Sequence, residues 1–180
     1  MTTLAACRVG STYALAADRR VMFGPEFAAR ASPKVAQVAP WLALGVAGPV
    51  VAGAWLRTLT TLPQAVETHA ELVAQLDHLG ESFRAYCVER QITEAAACGI
   101  TPLGIVRLTP DGSASLIKSL VFADGSGGGY AIGAMHSRIE WGGVGELTAR
   151  TVAAYGVAVA AKYDSGTGHA IDVLTIEAAP

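Results

Sequence analysis

From Val35 to Leu56 the chain reads "VAQVAPWLALGVAGPVVAGAWL", 22 residues without a charge. An unbroken helix of that length and polarity would span a bilayer. Pro40, Pro49 and the three glycines within the stretch argue against one. Their turn chemistry divides it into short pieces that suit strand, turn, strand, loop and then helix. The expectation is therefore a protein built on buried strands, with no membrane partner.

Strand-like segments surround this stretch. Thr3 to Arg8 and Tyr13 to Asp18 are short and apolar, with Gly10 and Ser11 between them as a turn, and Val35 to Val38 and Trp41 to Val46 follow. The period then changes. Val50 to Leu59 reads as a helix, and from Gln64 to Arg90 apolar positions recur at Val66, Ala70, Val73, Leu76, Gly80, Phe83 and Cys87, the stripe of a long amphipathic helix. Leu103 to Leu108 and Ser113 to Val121 flank "TPDG", a hairpin signal. "ADGSGGGY" reads as a mobile loop and Tyr130 to Ile132 as a short strand. Gly145 to Tyr163 reads as a helix apolar enough to lie between layers, and "AIDVLTIE", Ala170 to Glu177, as a closing strand. Strands, two helices, a hairpin, a helix and a last strand predict an α+β fold, a four-layer αββα sandwich formed by a single domain over residues 1–180.

Charge and cysteine content narrow the function. A chain of 180 residues buries about 70% of its unfolded surface. With 52% hydrophobic and 16% charged residues, apolar surface is left over for subunit contacts. A net charge of −2, a pI near 6.1 and the lack of any Lys/Arg cluster give nucleic acid nothing to bind. Cys7, Cys87 and Cys98 are odd in number and show no CxxC spacing, which argues against a disulfide framework and a zinc site. No basic region followed by an apolar run opens the sequence, so a cytoplasmic protein is expected.

The chemistry-bearing residues begin at the second position. Once Met1 is removed, which the small second residue favours, Thr2 carries a hydroxyl and a free α-amine. An α-amine ordinarily titrates at about 7.7 to 8.0, which suits a base near neutral pH. Asp18 closes an apolar strand in "ALAADRR", and Lys34 precedes another in "ASPKVAQV". If neighbouring strands bring both to the Thr2 end of a sheet, Asp18 can hold Lys34 as an ammonium whose charge favours the deprotonated amine and hydroxyl. A surface ion pair is the plainer alternative. In "GVAGPV" the backbone N–H of Gly48 can meet a developing oxyanion, a contact of about 3 to 4 kcal/mol, or the glycine can simply make a tight turn.

Together, Thr2, "AADRR" with Asp18 and Arg20, Lys34 and Ala47-Gly48 resemble proteasome β-subunits and bacterial HslV-type peptidases, the N-terminal-nucleophile hydrolases. The intervals of 16, 16 and 14 residues match the family's spacing. "YAIGA" and "YDSGTGHAIDVLTIE" extend the similarity over almost the whole chain. The resemblance implies that Thr2 is nucleophile and base, that Lys34 lowers its pKa, that Asp18 orients Lys34, that Arg20 supports the site and that Gly48 supplies the oxyanion N–H. It also implies stacked homo-oligomeric rings (hexamer or heptamer), a partner AAA+ ATPase unfoldase, unfolded polypeptide as substrate and no cofactor. Val46 and Ala47 would border the specificity pocket and favour apolar side chains before the cleaved bond.

Two departures qualify the resemblance. The family's "IGSG" segment aligns with "IGAM", which puts Ala134 at a serine position, with Ser137 three residues on. Lys162 stands where many β-subunits carry Asp, leaving Asp164 and Ser165 as supporting residues. A silent ring subunit and a stand-alone amidohydrolase acting on a small amide are the competing readings. "GSGGG" lacks the GK[ST] of a phosphate cradle, and His69 and His78 on one helix, with His136 and His169 in loops, form no metal constellation.

Overall fold

The computed structural model describes residues 2–23, 27–31, 33–142 and 146–179. Two antiparallel sheets lie face to face. The first has the order β10-β1-β2-β11, from β1 (Thr3–Val9), β2 (Thr12–Asp18), β10 (Val121–Gly125) and β11 (Ile171–Glu177). The second has the order β5-β6-β7-β8-β9, from β5 (Val35–Ala39), β6 (Leu42–Ala47), β7 (Ala96–Thr101), β8 (Gly104–Leu108) and β9 (Ala114–Ile117). A small hairpin pairs β3 (Arg20–Phe23) with β4 (Phe27–Ala31).

Side-chain alternation along the strands sorts the apolar residues into three cores. Leu4 and Ala6 of β1 and Leu15 and Ala17 of β2 meet Ala43, Cys98 and Ile100 between the sheets. Ala5, Cys7, Ala14 and Ala16 point the other way, onto α2 (Gly128–Trp141) and α3 (Ala149–Tyr163). Leu42, Leu44 and Val46 face a 3-10 helix (Val50–Thr58) and α1 (His69–Glu89), where Trp55 and Phe83 stack with ring centroids 4.7 Å apart. The layers are therefore helix, sheet, sheet, helix, the αββα order expected. Small residues set the spacing between the sheets: a Cβ on Gly45 would stand 2.8 Å from Leu4 Cδ2.

The uncharged stretch folds as read, into β5, β6 and the 3-10 helix, and no helix among the described residues is long and apolar enough to cross a membrane. Other expectations need correction. The long helix starts at His69 rather than Gln64, because Thr68 and Glu71 form a capping box there. Helix α3 begins at Ala149, capped by Thr148, and the expected start at Gly145 lies outside the described residues. This helix is in the outer layer, not between layers: Ala153, Gly156, Val157 and Ala160 are buried, while Tyr155 and Tyr163 are exposed.

The expected strand Ser113 to Val121 is two strands in different sheets, β9 and β10. Strand β7 and the β3–β4 hairpin had no sequence signal that set them apart. Tyr130 to Ile132 is helical, as is His136, both within α2. Its glycine-rich start conceals the helix, yet Gly128, Ala131 and Met135 form a buried stripe at helical spacing. Close packing on α3 holds it, since a Cβ on Gly156 would lie 2.8 Å from Met135 Cγ.

Candidate active site

Four segments meet at one end of the first sheet. Thr2 directly precedes β1, Asp18 ends β2, Ser126 follows β10, and the turn 164–168 links α3 to β11. Strand register brings them together, for Leu4 pairs with Ala17, Thr3 with Gly125 and Asp18 with Ile171. Lys34 reaches in from the start of β5 and Gly48 from the end of β6, both in the other sheet.

Asp18 is the centre of the arrangement. Fully buried, it accepts from Thr3 N–H at 3.0 Å, Arg20 N–H at 2.8 Å, Gly168 N–H at 3.0 Å and Lys34 Nζ at 3.0 and 3.1 Å. The Lys34 side chain is 11% exposed. A surface ion pair is therefore the wrong description. A carboxylate with this many donors compensates the loss of its hydration and fixes the ammonium in place. Burial pushes the Lys34 pKa below its ordinary value; Asp18 opposes that shift, and the Arg20 charge adds to it.

Arg20 donates through Nη1 to the Ser165 carbonyl at 2.7 Å and so ties the 164–168 turn to β3. Ser165 itself is exposed and takes part through its backbone. Asp164 Oδ2 accepts from Ser126 Oγ at 2.7 Å and from Thr167 Oγ1 at 2.5 Å, and its Oδ1 accepts from Gly166 N–H at 3.2 Å. Burial alone would raise the Asp164 pKa, but the Thr167, Ser126 and Gly166 hydrogen bonds outweigh it and hold the carboxyl below its ordinary range. Because Thr167 gives its single hydroxyl proton to Asp164, Thr3 Oγ1 is the donor in the 2.6 Å contact between Thr3 and Thr167.

Ser126 also donates its backbone N–H to the Thr2 carbonyl at 3.1 Å. The serine expected at position 134 is therefore sought in the wrong place. Ala134 lies within α2, and a serine hydroxyl stands at the site in Ser126. "GSGGG" is likewise not a mobile loop. Gly125 has φ +89°, and a Cβ there would come within 2.0 Å of the Thr2 carbonyl oxygen, so this close approach requires glycine. The pairing of Thr3 with Gly125 could be inferred only once β10 was known to neighbour β1.

Two hollows open from Thr2. One is bordered by Lys34, Val46, Gly48, Val50 and Arg57, the other by Ala47, Gly48, Glu94, Asp124 and Ser126. Val46 and Ala47 therefore serve different sides, as alternation along β6 requires. Gly48 borders both, just past the last ladder pair, Ala47 with Ala96. It holds φ +140°, and an added Cβ would lie 2.9 Å from the Glu94 carbonyl. Gly48→Val is expected to lower stability by about 2 to 3 kcal/mol, measured by urea unfolding, through backbone strain and this collision. A loss below about 0.5 kcal/mol would contradict that reading.

The described residues contain no group of three or more His, Cys, Asp or Glu placed to hold a metal ion. Cys7, Cys87 and Cys98 are buried free thiols whose pKa values burial pushes up. None is set up as a reactive thiolate.

No protein-family model matches the chain, and no curated protein sequence matches it. Solved structures do. Eukaryotic HslV from Trypanosoma brucei aligns with a TM-score of 0.73 at 20% identity, over 97% of this chain and 99% of that one. The fold is that of HslV. Thiobacillus denitrificans BPH shares this HslV fold, with a TM-score of 0.79 at 21% identity over 99% of both chains. BPH in complex with epoxomicin gives 0.81 at 21% identity, over 99% of this chain and 100% of that one. The resemblance read from the sequence and the HslV likeness of the fold agree.

Proposed function

We propose that the chain is a threonine-type endopeptidase of a self-compartmentalising ring, with Thr2 as its nucleophile once Met1 has been removed. The observation that carries this reading is the buried Asp18–Lys34 pair, whose lysine lines the hollow that Thr2 also borders. In the reaction, the Thr2 hydroxyl passes its proton to the Thr2 amine as Oγ1 bonds to the substrate carbonyl carbon. Gly48 N–H meets the oxyanion. The C–N bond then breaks as the amine returns the proton to the leaving nitrogen, which leaves an ester on Thr2 that water hydrolyses to acid and free enzyme.

Lys34 acts through its charge, keeping the amine unprotonated at neutral pH. Asp164, Ser126 and the Thr3–Thr167 pair hold the backbone on which Thr2 sits. With a serine at the site, the silent-subunit reading loses its sequence argument. Homo-oligomeric rings, an AAA+ unfoldase partner, unfolded polypeptide as substrate and a cytoplasmic setting complete the proposal. Gel filtration of the purified chain tests it at the level of assembly. Elution at a mass far above one 18.5 kDa subunit is expected, whereas elution as a monomer would overturn the ring and favour an amidohydrolase.

The lowered pKa of Lys34 gives a pH prediction. The side chain is charged below that pKa and loses its charge as pH rises through it. The alkaline limb of kcat/KM should therefore fall before the pH at which a free lysine deprotonates. Lys34→Arg, which remains charged, should flatten that limb, and an unchanged limb would remove Lys34 from the chemistry.

A further inference from the structure

We propose that the hollow on the Lys34 side of Thr2 takes an acidic side chain, glutamate or aspartate, and that Arg57 reads its carboxylate. The inference rests on the peptidase reading of the same site and specifies its substrate class. The hollow has a volume of about 160 Å³, room for one side chain. Val50, Gly53, Ala54 and Arg57 of the 3-10 helix all border it, Val50 above Gly53 and Ala54 above Arg57 as two adjacent ridges of the three-residue period. A Cβ on Gly53 would meet nothing within 4 Å, which leaves the wall open at that point. Val46 and Val50 supply apolar surface for the methylenes of a glutamate, and Arg57 supplies the charge.

The charge balance decides between an acidic and a purely apolar occupant. The described lining of this hollow holds Arg20, Lys34 and Arg57 and no carboxylate. Lys34 is paired with Asp18, and the Arg20 guanidinium is engaged by the Ser165 carbonyl. Arg57 forms no ion pair or hydrogen bond with the described residues. Across Thr2 the sign reverses: Arg107 pairs with Asp124 at 2.8 Å, and the exposed Glu94 remains. An anionic side chain is therefore drawn to one hollow and repelled from the other, a discrimination built from attraction and repulsion together.

The test uses the assembled protein and fluorogenic peptide amides that differ only in the residue before the cleaved bond: Glu, Gln, Leu or Lys. Wild-type kcat/KM should favour Glu over Gln by about tenfold at low salt, and the ratio should shrink towards one as ionic strength rises. Arg57→Gln should remove the Glu/Gln difference, and Arg57→Glu should shift the preference to Lys. Arg57 is exposed, so both variants should keep the wild-type melting temperature. Should Arg57→Glu fail to assemble, Arg57→Gln and the wild-type salt titration still decide. Equal rates for Glu and Gln peptides, or a ratio indifferent to Arg57→Gln and to salt, would overturn the acidic preference and leave a Thr2 peptidase standing. Absence of both cleavage and Thr2 labelling would bring down the peptidase reading and this inference with it.

Discussion

Thr2→Ala is expected to lower peptide hydrolysis by at least about 10⁴-fold while moving the melting temperature little. The loss follows from chemistry that places the attacking hydroxyl and its base on one residue. With the hydroxyl gone, the remaining amine has no proton to take, and Gly48 has no oxyanion to meet. The backbone bond from Ser126 N–H to the Thr2 carbonyl remains whatever the side chain. Mass spectrometry after incubation with a peptide epoxyketone or boronate provides the direct readout. A single adduct on the Met1-free chain is expected, present in Thr2→Ser and absent from Thr2→Ala. The three thiols are buried, so an adduct reports on Thr2. No adduct on a folded Met1-free protein would end the nucleophile assignment.

The second large effect belongs to Asp18. Asp18→Ala should destabilise the protein by about 3 to 5 kcal/mol, because it strands a buried ammonium and three backbone N–H groups at once. For a chain of this size that is a fall of roughly 6 to 20 °C in melting temperature. Asp18→Asn should recover only part of it. Oδ1 and Oδ2 both accept N–H donors in the native site, and an amide would set its own NH₂ against one of these sets. Lys34→Met should be milder than Asp18→Ala, since the carboxylate keeps its three backbone donors. Adding Lys34→Met to Asp18→Ala should restore part of the stability, because it removes the unpaired charge and leaves only the three backbone N–H groups without their acceptor. Calorimetry of the four variants separates these terms. A loss below about 1 kcal/mol for Asp18→Ala would show that the pair is not the structural centre described.

Much of the site was legible in the sequence because its parts stand at element ends. A charge closing an apolar strand, as Asp18 does, or opening one, as Lys34 does, already implies that something at the sheet edge receives it. The layer order was legible for a related reason: alternation along β1, β2 and β6, and the long stripe of α1, each say which face is apolar. The helix α2 was missed because glycines at its start conceal helical spacing. The cut between β9 and β10 was missed because two consecutive apolar runs do not reveal that they enter different sheets.

By itself, then, the sequence determined the buried strands in place of a membrane span, the residue types able to make a threonine nucleophile, and the faces that must be covered. Those properties depend on local turn chemistry and on periods of 2 and 3.6 residues, which any short window contains. Tertiary structure alone decided that Asp18 collects four donors, that Ser126 rather than Ala134 brings its hydroxyl to the site, that a hollow opens from Thr2 on each side of β6's end, and that Arg57 borders the one beside Lys34. Apart from the local Arg20 N–H bond to Asp18, these join residues far apart along the chain, set by strand register and sheet order, and a one-residue change of register turns a strand's side chains to the opposite face.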